Sequence, residues 1–145
     1  MSADPYTSEV LKLAATIEHL EPLSDPDGVA RKTSRLCGSM IEAQVKLDGE
    51  IVSDLGLVVE ACALGQAAAS ILSHHAIGAS VAEIKAARDV LHAMLKQDGP
   101  DPDGRFGDLK LLRAAKDYPM RHGSLMLAFE AALEASEAAL ARAAS

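Results

Sequence analysis

The stretch from residue 41 to residue 59, IEAQVKLDGEIVSDLGLVV, decides the fold, because apolar and polar residues alternate on both sides of a turn signal. The period of a half-buried strand is seen first at Ile41, Ala43, Val45 and Leu47. Asp48-Gly49 is typical of a hairpin turn. A second inward set follows at Ile51, Ser53, Leu55, Leu57 and Val59. The segment therefore predicts an antiparallel hairpin with one buried face.

The apolar pattern also predicts how the two strands pair. A two-residue loop would place the apolar face of one strand beside the polar face of the other. A three-residue loop over residues 48–50, or an equivalent bulge, keeps a single buried face. This loop would pair Leu47 with Ile51, Val45 with Ser53, Ala43 with Leu55 and Ile41 with Leu57. We expect a third strand around residues 30–36.

Helical periodicity surrounds this sheet. It predicts helices over residues 8–20, 64–77, 80–96, 108–116 and 124–143. Ser80 followed by Glu83 is typical of a capping box, residues 97–107 read as a turn-rich loop, and Pro119 is expected to break the chain. The predicted fold class is α+β: a small antiparallel sheet, made of the hairpin and a third strand, with helices packed on one face.

Length and charge exclude several classes of protein. The 145 residues predict one domain over residues 1–145, with residues 1–7 flexible. The formal net charge of −7 and the lack of a basic stripe argue against binding to nucleic acid or to an anionic membrane. The N-terminus does not resemble a signal peptide and no apolar run is long enough for a membrane span. We therefore expect a cytoplasmic protein, whose two cysteines are free thiols or ligands.

Cys37 and Cys62 are the main candidates for chemistry. In the expected register Cys37 lies opposite Ala61, so both cysteines come to the open end of the hairpin, where facing residues have Cβ atoms about 5 Å apart. Strict alternation would put them on opposite faces, so the loops at the strand ends must turn them together. Cys62 also precedes a helix, and a helix N-terminus stabilises a thiolate. The alternative is that both cysteines are small, inert core residues.

Four short segments carry a resemblance to a known family. They are EHLEP at residues 18–22, CGSM at 37–40, EACALGQAAAS at 60–70 and YPMRHGSLML at 118–127. In this order they resemble four segments of NifU/IscU-type iron–sulfur cluster assembly scaffolds. The first three of those segments read His-Tyr-x-Asn-Pro, Cys-Gly-Asp-x-Met and Gly-x-Cys-x-x-x-x-Ala-Ser. The fourth is the proline-led segment that holds the family's third cysteine. The resemblance covers about residues 8–140.

The resemblance implies a metal or cluster site and shows where this chain departs from it. Such scaffolds hold a cluster, or a zinc ion in its place, with three cysteines helped by an aspartate and sometimes a histidine. Cys37 and Cys62 match the first two cysteines, whereas Ser39 stands at the aspartate position. The third cysteine position is Ser124 if the proline sets the alignment, or Gly123 if the histidine does.

The implied ligand set is therefore Cys37, Cys62 and His122, with Ser124 and Ser39 as weaker additions. Iron–sulfur clusters are normally held by four ligands, mostly thiolates. Two thiolates and one imidazole leave the site one ligand short, and a serine hydroxyl is a poor substitute because it holds its proton tightly. Such a set suits zinc with a bound water, a labile cluster, ligands shared across a dimer, or no metal at all.

The resemblance implies a scaffold or carrier protein and not an enzyme. Sulfur would come from a cysteine desulfurase, and a labile iron–sulfur cluster would pass to recipient apo-proteins, with the chain a monomer or a weak homodimer. One alternative is a zinc-binding paralogue that accepts or relays sulfur, and another is an interaction domain without metal. The family's Leu-Pro-Pro-Val-Lys chaperone motif is replaced by DYPMR at residues 117–121. No phosphate-binding loop or nucleophile elbow is present in the sequence.

Overall fold

A computed structural model describes residues 4–144 of the chain. The expectation of a flexible N-terminus includes residues 1–3, which lie outside the described residues. The elements are α1 (Ser8–Ala14), β1 (Gly28–Ser34), β2 (Ser39–Asp48), β3 (Ile51–Glu60), α2 (Ala63–His75), α3 (Val81–Gln97), a 3-10 segment (Gly104–Asp117) and α4 (Pro119–Ala144). This order of elements confirms the predicted α+β fold.

The sheet has three antiparallel strands in the order β1-β2-β3. The third strand expected around residues 30–36 is confirmed as β1, which starts two residues earlier and ends at Ser34. Helix α4 packs across β1 and β2, and α2 and α3 pack on α4. At Gly28 a Cβ atom would lie only 1.9 Å from the carbonyl oxygen of Ala135. The backbone of α4 therefore lies directly on β1, which only glycine permits.

The hairpin is confirmed, but it is built with a bulge and not with a three-residue loop. Asp48 pairs with Ile51, so the loop has two residues, and the register shifts between Lys46 and Leu47. The four predicted pairs are wrong: the observed ones are Leu47 with Val52, Val45 with Leu55, Ala43 with Leu57 and Ile41 with Val59. The bulge, which was the stated alternative, keeps one buried face by placing Val52 inward and leaving Ile51 exposed.

Contacts with the α2–α3 connection explain this register. The N–H of Val52 donates to the carbonyl of Ala79, and the carbonyl of Val52 accepts from the N–H of Gly78, both at 2.8 Å. These bonds pair the outer edge of β3 near the turn, so the bulge is tied to a distant part of the chain. The alternation pattern within the hairpin contains no information about that contact.

The helices differ from the prediction mainly at their ends. Helix α1 stops at Ala14, six residues early, and the hydroxyl of Thr16 donates back to the carbonyl of Lys12 at 2.9 Å. The capping box is confirmed, because Ser80 and Glu83 each accept the other's backbone N–H at 3.0 Å. The segment predicted as a short helix at residues 108–116 is a longer 3-10 segment. Helix α4 begins at Pro119 and not at Ser124, which places the predicted third ligand segment on a helix.

The core is aliphatic and rich in alanine, as the composition predicts. Small residues on α4 let it approach the sheet, while Phe106 and Phe129 meet edge-to-face at 5.4 Å between ring centroids. Burial of a leucine or isoleucine side chain in such a core contributes roughly 1.5–3 kcal/mol. None of the helices described over residues 4–144 combines the length and hydropathy needed to cross a membrane.

Candidate functional site

Three chain segments meet at one end of the sheet. They are the turn between β1 and β2, the N-terminus of α2 and the first turns of α4. Cys37 lies in the turn at residues 35–38, just before Ser39 opens β2. Its predicted position opposite Ala61 is wrong, because Met40 pairs with Glu60 and β2 begins after the turn. The two cysteines nevertheless both contact the same part of α4, by separate routes.

Cys62 is the N-cap residue of α2. Its backbone is extended (φ −66°, ψ 170°), and the N–H groups of Leu64 and Gly65 lie near its sulfur although no side-chain capping hydrogen bond forms. Burial raises the pKa of the Cys62 thiol. The Ser124 hydroxyl, the two N–H groups and the charge of Arg121 outweigh that effect, so the net pKa is below its ordinary value. Cys62 is therefore a half-buried thiol that loses its proton more readily than an ordinary cysteine.

Two buried hydroxyl groups extend inward from Cys62. Ser124 Oγ lies 3.3 Å from Cys62 Sγ and donates to Ser39 Oγ at 3.0 Å. Ser124 and Ser39 are 0% and 2% exposed. While Ser124 donates to Ser39, the thiol of Cys62 donates to Ser124. When Cys62 is a thiolate, the one hydroxyl hydrogen of Ser124 is available to the sulfur instead.

The close approach of α2 and α4 depends on Gly65. A Cβ atom there would lie 2.5 Å from Ser124 Oγ and 2.9 Å from the Cβ of Ala61. The missing side chain therefore leaves room for the Ser124 hydroxyl beside the N-terminus of α2. This is the contact that brings Cys62 within hydrogen-bond distance of α4.

Cys37 is held on the solvent side of the same helix turn. Its thiol donates to the carbonyl oxygen of Met120 at 3.2 Å, and Nη1 of Arg121 lies 3.8 Å from its sulfur. The neighbouring side chains of Leu36 and Met120 are among the most exposed large apolar groups of the described chain. Sequence reasoning missed Arg121 as a partner of Cys37. Its spacing of three residues from Ser124 would have indicated a shared helix face, had α4 been predicted to start at Pro119.

His122 points away from the two thiols toward the 3-10 segment. Its Nε2 lies 2.9 Å from the carbonyl oxygen of Ala115, to which it donates, and the residue is 3% exposed. Burial is the main reason that the pKa of His122 is lowered, so the ring is neutral near pH 7. Its Nδ1 atom has no hydrogen-bond partner within the described part of the chain. Among residues 4–144, no three His, Cys, Asp or Glu side chains are grouped to hold a metal ion.

The sequence profile of one family, described as the NifU-like N terminal domain, matches residues 5–124. The chain belongs to this family. A solved structure of the N-terminal part of a nitrogen-fixing NifU-like protein from Brucella abortus is 39% identical, with a TM-score of 0.92 and coverage of 94% of each chain. The NifU-like fold is also shared with a putative scaffold for the SUF system from Fervidobacterium islandicum, at 17% identity, a TM-score of 0.83 and coverage of 91% and 96%.

Curated relatives of this NifU-like chain carry two kinds of name. The iron–sulfur cluster assembly scaffold protein IscU of Thermotoga maritima is 25% identical over 90% of this chain and 91% of its own. The protein of the same name from Streptococcus pyogenes is 27% identical over 68% of this chain, which spans 62% of that relative's length. The zinc-dependent sulfurtransferase SufU of Bacillus subtilis is 26% identical over 66% of this chain and 65% of its own.

The donor set of this NifU-like domain fits a tightly bound metal poorly. Two thiols and two neutral hydroxyls face the common end of the sheet, and His122 is engaged with Ala115. Structural zinc sites are normally closed by four anionic or imidazole ligands. The arrangement is better suited to chemistry at the thiols themselves and to ligands that arrive and leave.

Proposed function

We propose that this protein acts in iron–sulfur cluster assembly as a scaffold or carrier, with Cys37 and Cys62 holding iron or a labile cluster. The observation that carries the proposal is that both thiols are half-buried and contact the first turns of one helix. Membership of the NifU-like family supports the general role, since two curated relatives are named as scaffold proteins. The proposed role is that of a binding protein and not of an enzyme.

His122 is the third ligand in this proposal. Its buried Nδ1 has no partner among residues 4–144, which supplies an available donor atom. The hydrogen bond from Nε2 to Ala115 holds the ring toward the 3-10 segment, so the side chain must turn for Nδ1 to reach cargo at the thiols. Ser124, whose hydroxyl lies 3.3 Å from Cys62 Sγ, and Ser39, which accepts from Ser124, are at most weak additions to this ligand set. A site with two thiolates and one mobile imidazole holds a cluster weakly, and weak binding favours transfer to a recipient apo-protein.

Anaerobic reconstitution tests the scaffold role. We expect the wild-type chain, supplied with iron, sulfide and a cysteine desulfurase, to turn brown with thiolate-to-iron absorbance and to pass the cluster to an apo-ferredoxin. Cys37→Ala/Cys62→Ala should show neither property. Ser136→Ala is a control substitution outside the site, because Ser136 is buried on α4 and donates to Ala132 away from the thiols. Equal iron content in the wild type and the cysteine variant would contradict the proposal.

A second candidate function is sulfur acceptance at Cys62, and the lowered pKa of that thiol favours it. The thiolate would attack the outer sulfur of a cysteine persulfide on a desulfurase. The S–S bond of the donor breaks, the donor cysteine leaves as a thiolate, and a new S–S bond forms on Cys62. The curated relative named as a zinc-dependent sulfurtransferase supports this second candidate.

Mass spectrometry separates the two candidates. A persulfide adds one sulfur atom to the peptide that contains Cys62 and requires no iron. If sulfur is found on Cys62 in the absence of iron and no cluster forms on reconstitution, sulfur relay is the function. If a transferable cluster forms, the scaffold role holds. A chain that takes up neither iron nor sulfur would be an interaction domain.

A further inference from the structure

We infer that the hydroxyl pair of Ser39 and Ser124 prevents this site from retaining zinc and reserves its two thiols for transient cargo. This inference deepens the proposed function and rests on it for the identity of the cargo, which is carried in place of a resident metal. Two observations carry it: the spacing of the side chains around Cys62, and the chemistry of the atoms at those positions.

Two spacings beside Cys62 are close to those between neighbouring ligands of one tetrahedral metal ion. From zinc–sulfur and zinc–oxygen bonds of about 2.3 and 2.1 Å, a tetrahedral ion separates a sulfur from an oxygen ligand by about 3.6 Å and two oxygen ligands by about 3.4 Å. Here Cys62 Sγ and Ser124 Oγ are 3.3 Å apart, and Ser124 Oγ and Ser39 Oγ are 3.0 Å apart. Neither of these two spacings would by itself exclude a metal ion.

The site lacks anionic donors. A zinc ion binds thiolate, neutral imidazole or carboxylate, whereas a serine hydroxyl keeps its proton near pH 7. The hydrogen atoms of Ser124 and Cys62 lie between the heavy atoms, in the chain of hydrogen bonds from sulfur to Ser124 to Ser39. A metal ion would have to break these two hydrogen bonds, and the neutral hydroxyls would give it little charge in return.

Burial makes the hydroxyl pair hard to replace with water. Ser124 and Ser39 are nearly inaccessible, and the N-terminus of α2 closes over Ser124 at Gly65. Water molecules therefore cannot easily complete the coordination of an ion at this end of Cys62. Only Cys37 and the outer side of Cys62 are open to an incoming group. That group meets two protein thiolates, and His122 can join them only by turning away from the carbonyl of Ala115.

Restoring a thiolate at either serine tests this inference, with the zinc ion itself as the probe. The variants are Ser124→Cys and Ser39→Cys, each of which replaces one hydroxyl by a thiol of similar shape. Ser136→Cys is the matched control. It adds a buried cysteine to the same helix about three turns further on, far from Cys62. Zinc per chain is measured after dialysis against a chelator, and affinity is measured by competition with a zinc indicator.

We expect the wild type and Ser136→Cys to lose zinc on dialysis. Ser124→Cys or Ser39→Cys should retain about one zinc per chain, with affinity higher by on the order of a hundredfold for the restored ligand. Cobalt in place of zinc should then show thiolate charge-transfer bands, which report coordination directly. Circular dichroism confirms folding, and two sites are tested so that misfolding of one variant still leaves a decisive measurement.

Three outcomes would overturn the inference. The wild type could keep one zinc per chain through dialysis, or both site variants could bind zinc no more tightly than the wild type. The third is that the Ser136→Cys control gains as much zinc affinity as the site variants. Failure of the proposed function is a separate result. It would appear as a wild type that takes up no iron, cluster or sulfur, and it would leave the zinc comparison unchanged.

Discussion

The contact between Gly65 and Ser124 predicts that Gly65→Ala destabilises the protein and separates α2 from α4. The added Cβ would lie 2.5 Å from Ser124 Oγ, whereas ordinary contact begins near 3.4 Å. Either the buried Ser124 hydroxyl must turn out of its hydrogen bonds or the two helices must move apart by almost 1 Å. Overpacking of this kind costs about 1–3 kcal/mol. The better helix propensity of alanine offsets up to about 1 kcal/mol of that cost.

The expected net loss in the free energy of unfolding is therefore about 1–2 kcal/mol. For a chain of this size it corresponds to a fall in Tm of about 3–8 °C, measured by circular dichroism and checked by urea unfolding. Gly107→Ala is the matched control, because the nearest atom to a Cβ there is the carbonyl oxygen of Pro102 at 3.9 Å. Its backbone is not in the left-handed region, so the control should be neutral or slightly stabilising.

A double variant sharpens this test. Gly65→Ala/Ser124→Ala removes the hydroxyl oxygen that the new methyl group would meet. We expect it to be more stable than the sum of the single changes predicts, with a coupling of about 0.5–2 kcal/mol. If Gly65→Ala is as stable as Gly107→Ala, or if the two changes are simply additive, the packing of α2 against α4 described here is incorrect.

Three further predictions concern the helix cap, the thiol and the buried ring. Ser80→Ala removes the cap of α3 and should lower the free energy of unfolding by about 1 kcal/mol. The urea midpoint should fall accordingly, and Ser80→Thr should largely keep the wild-type midpoint. Ser124→Ala should raise the pKa of Cys62 and slow its alkylation near neutral pH, while Cys37 reacts as before. The two rates are measured by mass spectrometry, and an unchanged rate at Cys62 would contradict the hydrogen bond to Ser124. Burial lowers the pKa of His122 from its ordinary value of 6.5, so as the pH falls the imidazole takes up a proton in the unfolded chain before it does so in the folded chain. The Tm should therefore fall as the pH drops below about 6.5, and His122→Gln should make that fall less steep. An equally steep fall in His122→Gln would assign the pH dependence to other groups.

The sheet shows what periodicity can and cannot predict. Alternation identified both long strands and their inward faces over Leu55 and Leu57. It did not decide between a three-residue loop and a bulge, because Ile51 and Val52 are both apolar and β-branched, and either can serve as the buried residue near the turn. The choice is made by hydrogen bonds from Gly78 and Ala79, which are distant in sequence. Register near a turn therefore depended on tertiary structure that a local pattern does not contain.

The candidate site shows a similar division. The approach of Cys37 and Cys62 to a common end of the sheet was predictable from the two strands. The direction of the imidazole was not, because it depends on where α4 begins. With a start at Pro119, His122 and Ser124 are two positions apart on a helix and face different sides. Ser124 meets Cys62, so His122 is turned toward Ala115.

The first turns of α4 form hydrogen bonds with both sulfurs. The Met120 carbonyl accepts from Cys37, and the Ser124 hydroxyl is bonded to Cys62. Under the proposed function, a group that binds both sulfurs has to compete with these two hydrogen bonds, and its departure lets them form again. We therefore expect binding to loosen the first turns of α4, and the recovery of these hydrogen bonds to favour release.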